Sequence, residues 1–432
     1  MFKTLDYQQA EQFLFEQLPF FSREGASAYK PGLSTSIALD NYFSNPHKAY
    51  KTIHIAGTNG KGSVSNLIAS VLTQAGYKTG LYTSPHIVDF KERIRVNGVK
   101  IPEKTVTDFV NNNADFFLPL KPSFFELTST LCFEYFKQQH VDVAVIETGL
   151  GGRLDSTNII NPELSIITNI SFDHMMFLGN TLPQIASEKA GIIKRGVPVV
   201  VGESDSRTNN VFLNKAAETE SPIILASNKM SCAQGVISDG FQVFNVFKNG
   251  EIVYPRLRCA LLGNYQQKNV ITALASIEQL IKQGFEISRQ DIYDGFENVV
   301  KNTGFFGRWQ IINTSPLIVC DTGHNEGGFE YTSKQIVAQK CKTLRIVIGF
   351  VKDKDINKIL RYLPQNAIYY FCNADNKRAL KAEELKNTAA GFGLEGLTYP
   401  SAKEAFEAAK NDADPDDFIF VGGSNFIVAE IF

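Results

Sequence analysis

Apolar positions along the chain fall into two rhythms. In SVSNLIASVLTQAG, Val64, Leu67, Ile68, Val71 and Leu72 recur at helical spacing, and Gly76 closes the segment. The runs TIHIAG, VDVAVIE, LSIITNI and VPVVVG are apolar at nearly every position, as strands buried on both faces of a parallel sheet are. KTGLYT reads as another strand. The helical segments SFFELTSTLCFEYFKQQ and TLPQIASEKAGIIK separate these runs, so strand and helix alternate in crossover units. Before them, roughly the first 50 residues read as helix, loop, helix, with REGASAYKPGLS as the loop. From about residue 222 to about 258 the pieces shorten and alternate (SPIILAS, FQVFNVF, EIVYPRLRC), with Asn249-Gly250 as a hairpin turn, which predicts a small antiparallel patch. The helical runs NYQQKNVITALASIEQLIKQG and SRQDIYDGFENVV lead to the loop KNTGFFGRW. From LIVCD to DFIFVGG the alternation resumes. The predicted class is α/β: an N-terminal, mostly parallel sheet domain with a phosphate-loop turn and an antiparallel patch, then a smaller Rossmann-like α/β domain. The expected boundaries are 1–303 for a nucleotide-binding domain and 304–432 for the second.

Composition mainly removes possibilities. The chain has 432 residues, 44% hydrophobic and 20% charged, which suits a folded globular protein and not a disordered one. Its formal charge is 43 − 45 = −2, so no bulk field draws it to nucleic acid or anionic lipid, and neither is expected as a partner. No apolar run approaches the ~18 residues of a membrane span. Asp6, Gln8, Gln9, Glu11 and Gln12 interrupt the N-terminal segment, so a cytoplasmic protein is expected, and a monomer. The six cysteines include no C-x-x-C pair, which argues against zinc and against a disulfide framework.

Five local signals carry chemistry. Gly57-Thr58-Asn59-Gly60-Lys61-Gly62-Ser63 follows a strand and opens a helix. Glycines let the backbone approach phosphate oxygens, the helix N-terminus offers free N–H groups, and Lys61 adds a cation. Ile55 stands where the usual phosphate loop has its first glycine, so this loop is a shortened variant. Glu147 ends a buried strand, where ligands bind in open α/β sheets and where a carboxylate can hold magnesium; taken alone it reads equally well as a plain strand-end acid. The loop Gly149 to Asn158 surrounds Arg153 with three glycines, either a ligand cradle with a cation or simply a flexible loop. Asp173-His174, with Glu188-Lys189 beyond, follows a third parallel strand and points to the same sheet edge. Asn269, Arg308, Asp321 and His324 form the fifth group. Asp321 ends a strand, and Arg308 falls in the predicted inter-domain loop, where a cation would engage phosphates on closure; each also suits a structural ion pair or cap.

IHIAGTNGKGS, LYTSPH with ERIRVNG, VDVAVIETGLGGRLDSTNII, ITNISFDH with LGNT, and IASEKAGIIK together resemble folylpolyglutamate synthase, of the Mur ligase superfamily, with the bacterial members that are often also dihydrofolate synthases looking closest. The resemblance covers essentially the whole chain. It implies an ATP-dependent ligase that adds L-glutamate to a folate, and to dihydropteroate in the bifunctional members, through an acyl phosphate. It implies that Asn59, Gly60, Lys61, Gly62 and Ser63 cradle ATP phosphates, that Asn269 contacts adenine, and that Arg308 and Asp321 complete the nucleotide site. Ser84, Glu147 and His174 would bind magnesium, with room for a monovalent cation, and Lys189 would be carbamylated. Ser123, Phe124, Phe125, Glu126, Gly152, Arg153 and Leu154 would touch folate or pterin. His324 and Ser424 would lie on the glutamate side, and Lys61, Lys189 and His324 would serve catalysis. Four positions depart from the family's usual pattern: Tyr265 for histidine, Phe306 for proline, DTGHNE for DGAHNP, and Thr148 for valine. A relative acting on cell-wall precursors would need an extra N-terminal domain, and only about 50 residues precede the loop. A nucleotide sensor without catalysis would not need Lys61 and Glu147.

Overall fold

A computed structural model describes residues 4–16, 18–19, 32–233, 235–352 and 354–432. Most of the expected loop REGASAYKPGLS lies outside them; the flanking helices Tyr7–Glu16 and Ser34–Tyr42 are present. The chain divides into two compact units. One comprises Met1–Ala260 with Gln267–Phe305, the other Leu261–Gln266 with Phe306–Phe432.

The first unit holds the strands β1 (Lys51–Ala56), β2 (Thr79–Tyr82), β3 (Ile94–Val96), β4 (Val99–Lys100), β5 (Val143–Glu147), β6 (Leu164–Ile167), β7 (Val199–Val201) and β8 (Ile223–Leu225). They form one sheet in the order β4-β3-β2-β5-β1-β6-β7-β8. It is parallel from β2 to β8, with β3 and β4 added antiparallel at one edge. Val143, Ala144, Val145 and Ile146 are all fully buried, as the unbroken apolar run requires. Helix Lys61–Gln74 presents Val64, Leu67, Ile68, Val71 and Leu72, each with no exposed surface. SPIILAS, expected in the antiparallel patch, is instead the edge strand β8, paired parallel to β7. The cause is the helix Asn209–Glu218 before it, a crossover that brings the chain back alongside β7.

The antiparallel patch itself is β9 (Met230–Cys232), β10 (Val236–Ser238), β11 (Phe241–Lys248) and β12 (Glu251–Cys259). Asn249 and Gly250 both have positive φ and join the paired residues Lys248 and Glu251 as a two-residue hairpin turn.

The second unit holds β13 (Gln310–Thr314), β14 (Leu317–Asp321), β15 (Leu344–Ile348), β16 (Ile368–Cys372), β17 (Gly396–Tyr399) and β18 (Phe418–Gly422), in the order β13-β14-β18-β15-β16-β17. All neighbours are parallel except the edge pair β13/β14. Trp309, Phe329, Phe371 and Phe420 lie in its core. No helix among the described residues is long and apolar enough to cross a membrane, and all six cysteines are free, five of them buried.

Candidate active site

Four neighbouring parallel strands end level with one another in the first unit. Ile55 pairs with Glu147, Tyr82 with Ile146, and Ala56 with Ile167. The chain leaves those ends into Gly57–Ser63, Thr83-Ser84, Thr148–Gly152 and Thr168–His174. Ser84, Glu147, Lys61 and the His174 segment are therefore delivered to a single sheet edge.

The loop Gly57–Ser63 turns sharply. Gly57 and Gly60 have φ of +153° and +83°, and a Cβ at Gly57 would collide with Thr168 Oγ1, while one at Gly60 would collide with Asn269 Oδ1. Asn269 thus packs on the loop. The segment after β6 is laced to it: Asn59 N donates to Asn169 Oδ1 (2.8 Å), Thr168 Oγ1 to Asn59 O (2.6 Å), and Thr58 Oγ1 to Ser171 O (3.1 Å). Nothing local in the sequence marks Thr168, Asn169 or Ser171, because their partners are more than a hundred residues away. Ser63 is buried at the start of the helix.

Two ammonium groups meet over this loop. Lys61 Nζ donates to Gly57 O (3.0 Å) and Thr58 O (3.2 Å), and Lys189 Nζ donates to the same Gly57 O (2.9 Å). Burial, reinforced by the charge of Lys61, lowers the Lys189 amine from its ordinary value to about 7.

Glu147 is 2% exposed, and its Oε2 lies 3.8 Å from where a Cβ at Gly62 would stand. A buried cation, Arg93, senses its charge. Arg93 Nε donates to His86 Nδ1 (2.8 Å), which leaves the His86 proton on Nε2, and burial pushes the His86 ring well below its usual value. Ser84, Glu147 and His174 offer a hydroxyl, a carboxylate and an imidazole on the same edge. A buried carboxylate beside the first turn of the phosphate-loop helix fits a magnesium ion that keeps several waters. Among the described residues no three His, Cys, Asp or Glu side chains converge; this set contains only two of those types.

The glycine loop after β5 is clasped from both sides. Arg153 N donates to Glu188 O (2.8 Å), and its guanidinium reaches Glu188 Oε1 (2.9 Å). Gly152 is pressed against the Glu188 carbonyl, and Leu154 is half-buried. Asp155 Oδ2 accepts from Gly149 N and Leu150 N (2.8 and 2.9 Å), and Thr157 Oγ1 donates to Asp155 Oδ1 (2.5 Å). Behind Thr157 sits His54, fully buried on β1, with Nε2 2.9 Å from the Thr157 hydroxyl.

The Ser123–Glu126 group divides. Ser123 and Glu126 cap helix Phe124–Gln138, each side chain accepting from the other's backbone N–H. Phe124 is a core residue with no exposed surface. Only Phe125 turns to the glycine loop, where its ring would collide with a Cβ at Gly149.

In the second unit, Asp321 ends β14 level with Gly422 of β18. Its carboxylate accepts from Tyr265 Oη (2.6 Å), Trp309 N (2.8 Å) and Gly323 N (2.7 Å). Thr322 N and Oγ1 both donate to Gly307 O at 3.0 Å. Asp321 and Thr322 thereby hold the turn that carries Arg308. His324 Nδ1 lies 3.1 Å from Thr322 O, and Ser424 caps the helix Asn425–Ala429 on the same sheet edge.

Known proteins resemble this arrangement closely. Residues 55–277 match the Mur ligase middle domain and residues 307–425 the Mur ligase glutamate ligase domain. A dihydrofolate synthase/folylpolyglutamate synthase of Bacillus subtilis is 32% identical over 98% of each chain. The structure of Escherichia coli FolC in complex with DHPP and ADP superposes with a TM-score of 0.86 at 28% identity, covering 99% of this chain and 97% of that one. The Yersinia pestis bifunctional folylpolyglutamate synthase/dihydrofolate synthase, complexed with AMPPNP and a Mn ion, gives 0.83 at 26% identity, covering 99% and 97%.

Proposed function

Since the chain belongs to the folylpolyglutamate synthase/dihydrofolate synthase family of Mur ligases, we propose that this ATP-dependent amide-forming ligase joins L-glutamate to the carboxylate of a folate and of dihydropteroate. ATP passes its γ-phosphoryl group to the acceptor carboxylate and ADP leaves. The amine of glutamate then attacks the acyl phosphate, and phosphate departs as the amide forms.

Asn59 to Ser63 hold the ATP phosphates through backbone N–H groups and the Lys61 ammonium, aided by Asn269 on the loop and by Arg308, oriented by Asp321. Lys61 supplies charge where the phosphoryl group moves. Ser84, Glu147 and His174 would hold magnesium, which when bound neutralises phosphate charge. A monovalent cation fits beside it by analogy with the family alone. Lys189, with an amine near neutrality, suits carbamylation, which would turn a cation into an anionic oxygen ligand. The folate side is Phe125 with Gly152, Arg153 and Leu154, framed by Ser123, Phe124 and Glu126; the glutamate side is His324 with Ser424. We further read the protein as a cytoplasmic monomer that needs neither nucleic acid nor membrane, in line with its near-neutral charge.

The observation that carries this reading is the level ending of β2, β5, β1 and β6, which gathers the loop, Glu147, Ser84 and the His174 segment. The test is ADP release with dihydropteroate and with tetrahydrofolate as alternative acceptors. Turnover is expected only when an acceptor and L-glutamate are both present. ADP release that ignores both acceptors would overturn the reading.

A further inference from the structure

Phe305 is the last residue of the first unit. Its ring lies over the start of helix Lys61–Gln74: Cε2 and Cζ are 3.4 and 3.6 Å from where a Cβ at Gly62 would stand, and Glu147 Oε2 is 3.8 Å from that same point. An aromatic ring and a buried carboxylate therefore flank one backbone position of the phosphate loop, both within van der Waals reach of it. The ring's approach is fixed from behind. Arg95, buried on β3, donates Nη1 to Thr303 O (2.5 Å), Gly98 packs against Asn302 O, and Gly304 takes φ +65° to turn the chain toward the loop. A buried arginine holding the end of helix Val299–Thr303 is an expensive way to place a loop, and what it places is an apolar face beside the phosphate-binding N–H groups.

We propose that Phe305 is the water shield of the ligation step, deciding that the acyl phosphate passes to an amine and not to water. The inference rests on the assignment of Gly57–Ser63 and Glu147 to the reacting phosphate. In ligation, the glutamate nitrogen attacks the acyl carbon, a C–N bond forms, the C–O bond to phosphate breaks, and the amine's proton goes to solvent. In the leak that Phe305 suppresses, a water oxygen attacks the same carbon. The carboxylate and phosphate are returned, and the net reaction is ATP plus water to ADP plus phosphate. An apolar ring beside the site denies water its approach and its hydrogen-bonding partners.

The experiment measures ADP and amide together in the full-length chain with saturating acceptor and glutamate. Wild type is expected to form one ADP per amide. Phe305→Ala is expected to form several-fold more ADP than amide, with the excess present when glutamate is omitted but the acceptor is supplied. Phe305→Leu, which keeps a shorter apolar cover and decides the matter if the alanine variant fails to fold, is expected to leak less than alanine but more than wild type. A ratio of one in the folded variants overturns the proposal, as does loss of ADP and amide together. Lys61→Ala separates this from the underlying assignment: it is expected to abolish ADP formation, and if it does not, the phosphate-loop reading fails first.

Discussion

At the residue scale, Tyr265 shows how one substitution alters the support of a functional group. Its hydroxyl donates to Asp321, and burial beside that carboxylate pushes the phenol well above its ordinary value, so it stays a donor. Removing the hydroxyl leaves a buried charge with two donors in place of three. Tyr265→Phe is therefore expected to cost about 2 kcal/mol, the range of a hydrogen bond to a charged group, measured by urea unfolding of the full chain. Because Asp321 holds the turn bearing Arg308, the same variant is expected to raise KM for ATP more than it lowers kcat. An unchanged midpoint and KM would count against both statements. The sequence marks Tyr265 as unusual and Asp321 as a strand-end acid, but 56 residues separate them, and no local pattern links the two.

Elements tell a clearer story where one period dominates. The continuous apolar strands, the helix after the phosphate loop and the Asn249-Gly250 hairpin are all legible, because each is encoded by neighbours in sequence. SPIILAS is misjudged because three apolar residues look alike in either kind of sheet; its neighbour in space, β7, decides. The Ser123–Glu126 segment mixes roles in the same way. The S-x-x-E spacing is a capping box, and one turn of helix then sends Phe124 to the core and Phe125 to the glycine loop. Ser123→Ala is expected to destabilise the chain by about 1 kcal/mol through the lost cap, seen as a lower denaturation midpoint. Phe125→Ala is expected to raise KM for the folate acceptor instead. If Ser123→Ala shifts KM without touching stability, the cap is not its main work.

The whole molecule carries its buried bases at a cost that depends on pH. Burial lowers His54 from 6.5 to about 3 and Lys189 from 10.5 to about 7. In both cases the unfolded chain binds a proton that the folded chain refuses, so stability rises with pH across each interval. Stability should climb between about pH 3 and about pH 6.5 through His54, and again above about pH 7 through Lys189. Replacing His54 with glutamine is expected to flatten the acid limb measured by denaturant unfolding at several pH values; an unaltered slope would show that other groups control it. Neither interval can be read from the sequence, since it depends on how completely β1 and helix Leu182–Ala190 are covered.

One arrangement matters to anyone dissecting the gene. The second unit is not a contiguous piece: Leu261–Gln266 belongs to it, while the helical stretch that follows belongs to the first. That hexapeptide brings Leu262 into the apolar core and offers its carbonyl to Gln335. A fragment excised at residue 306 would discard it, opening a gap in the interior and stripping Asp321 of its phenol. A fragment meant to survive alone needs the strap spliced back on through a short flexible tether.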